Sequence, residues 1–199
     1  MRREKNVARL TLDVMGNRLS KIYTRTGDDG STGMADGSRV EKDSDVINAI
    51  GDVDELNSQL AVLLCHSPDC FAGAIRVIQN ELFNVGAELT MGQAFIKQES
   101  VEWLEKSLDE LNQSLAPLKE FILPGGGLAS SHCHVARAIC RRTERSLVVL
   151  NRKNPVTVEL LAYINRLSDY LFVLARAISK ESGEDEVYWQ SKRISEEIK

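Results

Sequence analysis

No apolar run in this chain approaches the roughly 18 residues of a membrane span, and no apolar stretch with a small-residue cleavage site follows its basic start. Both absences speak against a helical membrane protein and predict a cytoplasmic one. A surplus of positive charge is missing too. The formal net charge is -4 at pH 7, which argues against a dedicated nucleic-acid binder. An anionic ligand must therefore be gripped by a local cluster of cations. Metal-ligand spacings are also lacking: Cys65, Cys70, Cys133 and Cys140 include no C-x2-C pair to join with His66, His132 or His134. Cys133 and Cys140, seven apart in a helical pattern, suit small buried hydrophobes. No metal ligand is assigned. Leu63, Ala129 and Ser131, not glutamates, stand three residues before the histidines, which removes a di-iron bundle. The glycine cluster Gly125–Gly127 leads into Leu128 and Ala129 instead of Lys and Ser/Thr, which removes a P-loop NTPase or kinase.

What is present suffices for one core: 199 residues need neither disulfides nor a structural metal to fold as a domain. Residues 1–20 carry Arg2, Arg3, Lys5, Arg9 and Arg18 against Glu4 and Asp13 without periodicity, and read as a disordered basic arm. The run from Met15 to Tyr23 also reads as a natural start, making 1–14 an upstream extension. From Lys21 to Asp45 the chain is rich in Gly, Thr, Asp and Ser, the chemistry of a long loop.

After that loop the apolar period becomes helical and stays so. Stripes at three- and four-residue spacing predict helices over 45–66, 71–91, 100–115, 129–151 and 156–181. Ser100 is the expected N-cap of the third, and Asn154–Pro155 the cap and first-turn pair of the fifth, which Gly183 ends. Strand signals of comparable strength are lacking. The expected fold is therefore an all-α five-helix bundle, with domain limits of 21–183. The charged tail, 184–199, is expected to be mobile, with Val187, Tyr188 and Trp189 able to dock on a surface.

Chemistry concentrates in the fourth helix. Arg137, Arg141, Glu144 and Arg145 recur at steps of three and four, placing three guanidinium groups and a carboxylate on one face. Such a face suits phosphate oxygens, and equally suits a solvated charged surface with i,i+4 pairs. Asp54 lies on the shoulder of the first helix's apolar stripe, where an unpaired carboxylate is costly, and Arg137 is the candidate partner within the chain. Asn165, Asp169, Phe172 and Arg176 share a face of the fifth helix, where Asn165 fits either an adenine or ribose edge or an interhelical hydrogen bond. In the loop, Gly27, Gly30 and Gly33 allow close backbone approach to an anion, while Thr24, Thr26, Ser31 and Thr32 offer hydroxyls to phosphates or a hydrated cation.

Five segments carry a resemblance. KIYTRTGDDG (Lys21–Gly30), GDVDELNS (Gly51–Ser58), FILPGG (Phe121–Gly126), RRTER (Arg141–Arg145) and INRLSD (Ile164–Asp169) resemble, in order, the signatures of PduO-type ATP:corrinoid adenosyltransferases. Thr143, often Ala there, and Arg25, often Lys, are the departures within them. The resemblance implies transfer of the 5′-deoxyadenosyl group of ATP to Co(I) of reduced cobalamin or another corrinoid, with Mg²⁺ and release of triphosphate. It implies a homotrimer with ATP between subunits, contacted by Thr24, Arg25, Thr26, Gly27, Thr32, Gly33, Lys42, Arg141, Arg142, Thr143, Glu144, Arg145 and Asn165. It turns the pairing of Asp54 with Arg137 into an intersubunit salt bridge. It also assigns Phe121 to the lower face of the corrin, where a bulky apolar side chain excludes the axial ligand, and makes Arg141, Phe121, Asp54 and Arg137 the catalytic group. A corrinoid reductase and a B12-dependent mutase are the implied partners. The rival is a helical scaffold or cobalamin carrier that binds nucleotide as a regulator, and turnover separates the two.

Overall fold

The computed structural model describes residues 23–118 and 120–190. The expected arm, 1–20, lies outside the described residues, as does the end of the tail, 191–199. The chain divides into two compact units, one ending at Lys42 and the other beginning at Asp43.

In the first unit the expected loop contains a small hairpin. Strands β1 (Ser31–Gly33) and β2 (Arg39–Glu41) pair antiparallel with Ser31 opposite Glu41, Thr32 opposite Val40 and Gly33 opposite Arg39. Met34 N donates to Ser38 O at 2.8 Å, and the Asp36 carboxylate accepts from Ser38 N at 2.8 Å, so side-chain chemistry closes the turn. Three-residue strands without apolar alternation leave no periodic trace, which is why composition alone reads as loop.

The second unit is the expected bundle of five helices: α1 (Asp45–His66), α2 (Ala72–Met91), α3 (Gln98–Gln113), α4 (Gly127–Asn151) and α5 (Val158–Glu181), with a 3-10 turn at Asp69–Phe71. Helix α4 packs on both α1 and α5, α3 packs on α5, and α2 on α1. Their stripes meet in one core that includes Leu56, Leu60, Ile78, Leu104, Leu147 and Leu171. Burying an aliphatic side chain of this size contributes about 2 kcal/mol. Helix α5 is enclosed rather than amphipathic over its second half: residues 173–179 are buried without a break. Ala175, Ala177 and Ser179 are small enough to let neighbours approach. Cys133 and Cys140 are buried as expected, their thiols donating to Leu171 O and Ile164 O at 3.2 and 3.3 Å. Burial pushes both thiols up, which keeps them protonated.

Two expected caps are corrected. Helix α3 starts earlier, after Lys97, and the Ser100 hydroxyl donates instead to Glu81 Oε2 at 3.3 Å. Helix α5 starts later: Thr157 caps it, accepting from Leu160 N at 3.3 Å. The Asn151 side chain accepts from Val156 N at 3.0 Å, which holds the preceding residues in a turn. Thr157 is also fixed from outside, because its hydroxyl donates to buried Glu88, whose other oxygen accepts from Phe95 N and Ile96 N at 2.9 and 3.0 Å. At the start of α4, Gly126 has φ +79°, and a Cβ there would collide with the Ser179 hydroxyl. Only glycine allows that approach.

Of the charged tail, residues 184–190 are described, and Val187, Tyr188 and Trp189 dock on the chain as the sequence allowed. Val187 O accepts from Leu123 N at 2.8 Å, Trp189 N donates to Phe121 O at 2.7 Å, and Ile122 bridges Tyr188 antiparallel. Among the described residues, no helix is long and apolar enough to cross a membrane.

Candidate functional site

In the first unit, the glycine-rich segment is folded back on its own cations. Lys42 Nζ donates to Gly27 O at 2.6 Å, and Arg39 donates to Thr26 O and, through Nε, to Ser31 Oγ at 2.9 Å. Thr24 and Thr26 hydroxyls lie 2.8 Å apart, and Arg25, at φ +59°, carries its guanidinium over the Tyr23 ring at 5.6 Å. A non-glycine residue in the left-handed region is strained, so the loop holds a specific shape. Asp29 accepts from the amide and hydroxyl of Ser31, at 3.0 and 2.8 Å, and those bonds hold its carboxyl below the usual range. Arg39 is a cation that sequence reasoning missed. Its only signal is position, one strand residue opposite Gly33 in a hairpin that the sequence does not announce.

In the second unit, the Arg141–Arg145 run divides by orientation. Arg141 and Arg145 are exposed, and among the described residues neither forms an ion pair. Arg145 Nη1 bonds only the Arg141 carbonyl, at 2.9 Å. Arg142 points the other way, donating to Asp52 at 3.0 Å and to Glu55, and that Asp52 bond strengthens its hold on its proton. Thr143 is buried between α4 and α1, its hydroxyl 3.2 Å from Asp52 O and 3.1 Å from Ile139 O. Two members of the expected ATP set therefore face α1, because a helix cannot aim consecutive side chains in one direction. Glu144 accepts from Asn165 Nδ2 at 2.7 Å, joining α4 to α5 beside the exposed arginines.

The expected intrachain pair of Asp54 with Arg137 does not form. Asp54 is exposed on α1, where water solvates it and the desolvation cost expected from the stripe does not arise. Arg137 is half-buried with its guanidinium 5.9 Å from the Phe172 ring centre, and its buried Nε has no acceptor among the described residues. It lines a groove of about 530 Å³ with Leu118, Glu120, Phe121, Ile122 and Phe172. Phe121 is 76% exposed, meeting Trp189 edge-on at 6.3 Å. A side chain so exposed contributes little to the core. Next to Phe172 sits His134, 6% exposed, whose Nδ1 has no partner among the described residues. Burial first, then the charge of Arg137, pushes its imidazole below the ordinary value, while Glu186 opposes them.

Among the described residues, this five-helix bundle presents on α4 two exposed arginines without an ion-pair partner, and a groove walled by Arg137, Glu120 and Phe172 with an exposed phenylalanine at its rim, an arrangement suited to an anion and to a ligand with apolar surface. Residues 22–178 match the family model described as cobalamin adenosyltransferase. The chain belongs to that family. It is 48% identical over 184 residues to a cobalamin adenosyltransferase of Cupriavidus metallidurans, covering 91% of this chain and 100% of that one. The corrinoid adenosyltransferase of Bacillus subtilis is 37% identical, with 87% and 94% covered. Among solved structures, a phenylalanine-to-alanine variant of a PduO-type ATP:corrinoid adenosyltransferase from Lactobacillus reuteri, complexed with cobalamin and ATP, aligns with a TM-score of 0.81. It is 34% identical, and the alignment covers 86% of this chain and 100% of that one.

Proposed function

We propose that this chain transfers the 5′-deoxyadenosyl group of ATP to the cobalt of a reduced corrinoid, using the two faces of α4 for different tasks. The observation that carries the assignment is the contrast between Arg141 and Arg145, exposed and without acidic partners among the described residues, and Arg142, neutralised by Asp52 and Glu55 in the same run. Arg141, Arg145 and Lys42 bind the triphosphate, with Thr24, Arg25, Thr26, Gly27, Thr32 and Gly33 lining it and Glu144 and Asn165 orienting the nucleoside. Arg142 and Thr143 hold α4 on α1. Lys42 bonds the Gly27 carbonyl here, and Arg39 bonds the Thr26 carbonyl and the Ser31 hydroxyl and pairs with Asp29 at 3.6 Å, contacts that a triphosphate can replace without leaving a donor unpaired. Mg²⁺ accompanies the triphosphate, and the threonine hydroxyls are hard donors suited to it.

Co(I) is a strong nucleophile, so the protein need not create one. It aligns the reactants and stabilises the leaving group: the Co–C bond forms as the C5′–O bond breaks, and the triphosphate departs with the electron pair toward the arginines. Phe121 occupies the lower face of the corrin and excludes the base or water that would otherwise coordinate Co(II), which makes reduction accessible. The assembly is a homotrimer in which the glycine-rich segment of one subunit and the α4 strip of the next close on one nucleotide. Asp54 of one subunit supplies the acceptor that Arg137 lacks among the described residues of its own chain. A corrinoid reductase in the cytoplasm supplies the electron, and a B12-dependent mutase takes the product.

Purified protein given ATP, Mg²⁺ and chemically reduced cobalamin without oxygen should form adenosylcobalamin and release triphosphate. Binding of both ligands without that spectral change would instead identify a carrier.

A further inference from the structure

Arg176 on α5 is 5% exposed, yet it belongs neither to the hydrophobic core nor to the residues assigned above. A guanidinium so enclosed is tolerated only where acceptors surround it. Its acceptors come from two segments that are not helical. Nη2 donates to Ala116 O at 2.8 Å, in the stretch after α3, while Nε and Nη2 form a fork on Glu186 at 2.6 and 3.3 Å, in the stretch after α5. One turn on, Lys180 Nζ donates to Ser114 O at 2.6 Å, so the last turns of α5 grip the first segment twice.

The same two segments meet again beyond the clamp. Val187–Trp189 pairs with Phe121–Leu123 through the two backbone hydrogen bonds at 2.8 and 2.7 Å, and the pair forms a short ribbon with Phe121 at its tip. An isolated two-stranded ribbon is marginal in water, so its position depends on what anchors it. The anchor closest in sequence is Glu186, immediately before Val187. Phe121 leans on Trp189; Phe121 stands largely in solvent, and Trp189 is about half covered.

We propose that Arg176 is a positioning residue: by clamping Glu186 and the Ala116 carbonyl it docks the C-terminal ribbon on Phe121 and thereby fixes the apolar surface presented to the corrin. This rests on the assignment of Phe121 to the corrin's lower face. The clamp acts on the reduction of Co(II), where Phe121 must exclude an axial ligand, and not on attack by Co(I), which the α4 strip assists.

Trp103 and Trp189 are the two tryptophans of the chain, so a Trp103→Phe background, excited selectively at tryptophan, leaves Trp189 as the reporter of docking. In that background Glu186→Gln and Arg176→Lys should raise acrylamide quenching of Trp189. In the full enzyme with ATP, the same variants should lower the four-coordinate Co(II) signal in electron paramagnetic resonance and Co(II)-started turnover by about tenfold, the value of one charge-assisted contact. Co(I)-started turnover should stay within about twofold. Glu186 lies outside the core, so its variant keeps the test valid even if Arg176→Lys does not fold. Unchanged Trp189 quenching, or equal losses from Co(I) and Co(II), overturns the clamp. Absence of the four-coordinate signal in the unmodified enzyme would instead sink the assignment of Phe121, and quenching alone would then decide whether Arg176 holds the ribbon.

Discussion

Arg142 donates its Nε hydrogen to Asp52 at 3.0 Å, tying the arginine run of α4 to the Gly51–Ser58 motif of α1 within a single chain. With the partners 41% and 19% exposed, solvent screens the pair, and its contribution is about 1 kcal/mol. Its neighbour Arg141 has no such partner among the described residues, so adjacent arginines should respond oppositely to truncation.

Arg142→Ala should lower the melting temperature by about 2–4 °C, the shift that 1 kcal/mol gives a chain of this size. Arg141→Ala should leave the melting temperature unchanged and cut ATP-dependent turnover by about tenfold or more through loss of charge-assisted bonds to the triphosphate. Calorimetry and turnover on the same preparations check both. A thermal penalty on Arg141 with turnover intact would reverse the assignment.

Phe121→Ala should leave thermal stability nearly unchanged, because a side chain 76% exposed buries little area. Turnover begun from Co(II) should fall far more than turnover begun from Co(I). If the two starting states lose activity alike, Phe121 is not acting on the axial ligand.

The Nε of Arg137, buried and without an acceptor among the described residues, predicts a partner from another subunit. Asp54→Arg should weaken the proposed trimer in sedimentation experiments, and Arg137→Asp combined with it should restore association in part by reversing the pair. A single substitution that leaves a stable trimer would remove Asp54 from the interface.

His134 gives the stability a defined dependence on acid. Its folded-state value lies below the ordinary 6.5, so between the two values the unfolded chain binds the proton that the native chain refuses. Stability from this residue is complete above about 6.5 and declines as pH falls through that value toward the folded one. Arg137 opposes protonation and Glu186 favours it, so the decline ends where the native imidazole finally charges. Melting curves from about pH 7.5 down to about pH 5.5 should therefore fall less steeply for His134→Gln than for the parent chain. Parallel curves would count against it.

The bundle itself was legible because a helix is a local object: an apolar residue every three or four positions marks its buried face regardless of what covers it. The ends were less legible. Ser100 and Asn154 have the right chemistry for caps, but the cap is decided by competing partners, Glu81 for Ser100 and Glu88 for Thr157, which lie far away along the chain. The hairpin at Ser31–Glu41 escaped because its strands are too short to show a period. Of the candidate site, residue types and their order along the chain were readable, and so was the cationic face of α4.

Sequence by itself determined the five helices and the family, since periodicity and ordered motifs are properties of neighbours along the chain. Tertiary structure alone decided which arginine is free and which is neutralised, that Phe121 stands in solvent instead of the core, and that Arg176 joins two distant segments. Those outcomes depend on which groups approach within about 3 Å after folding, and no spacing along the sequence encodes that distance.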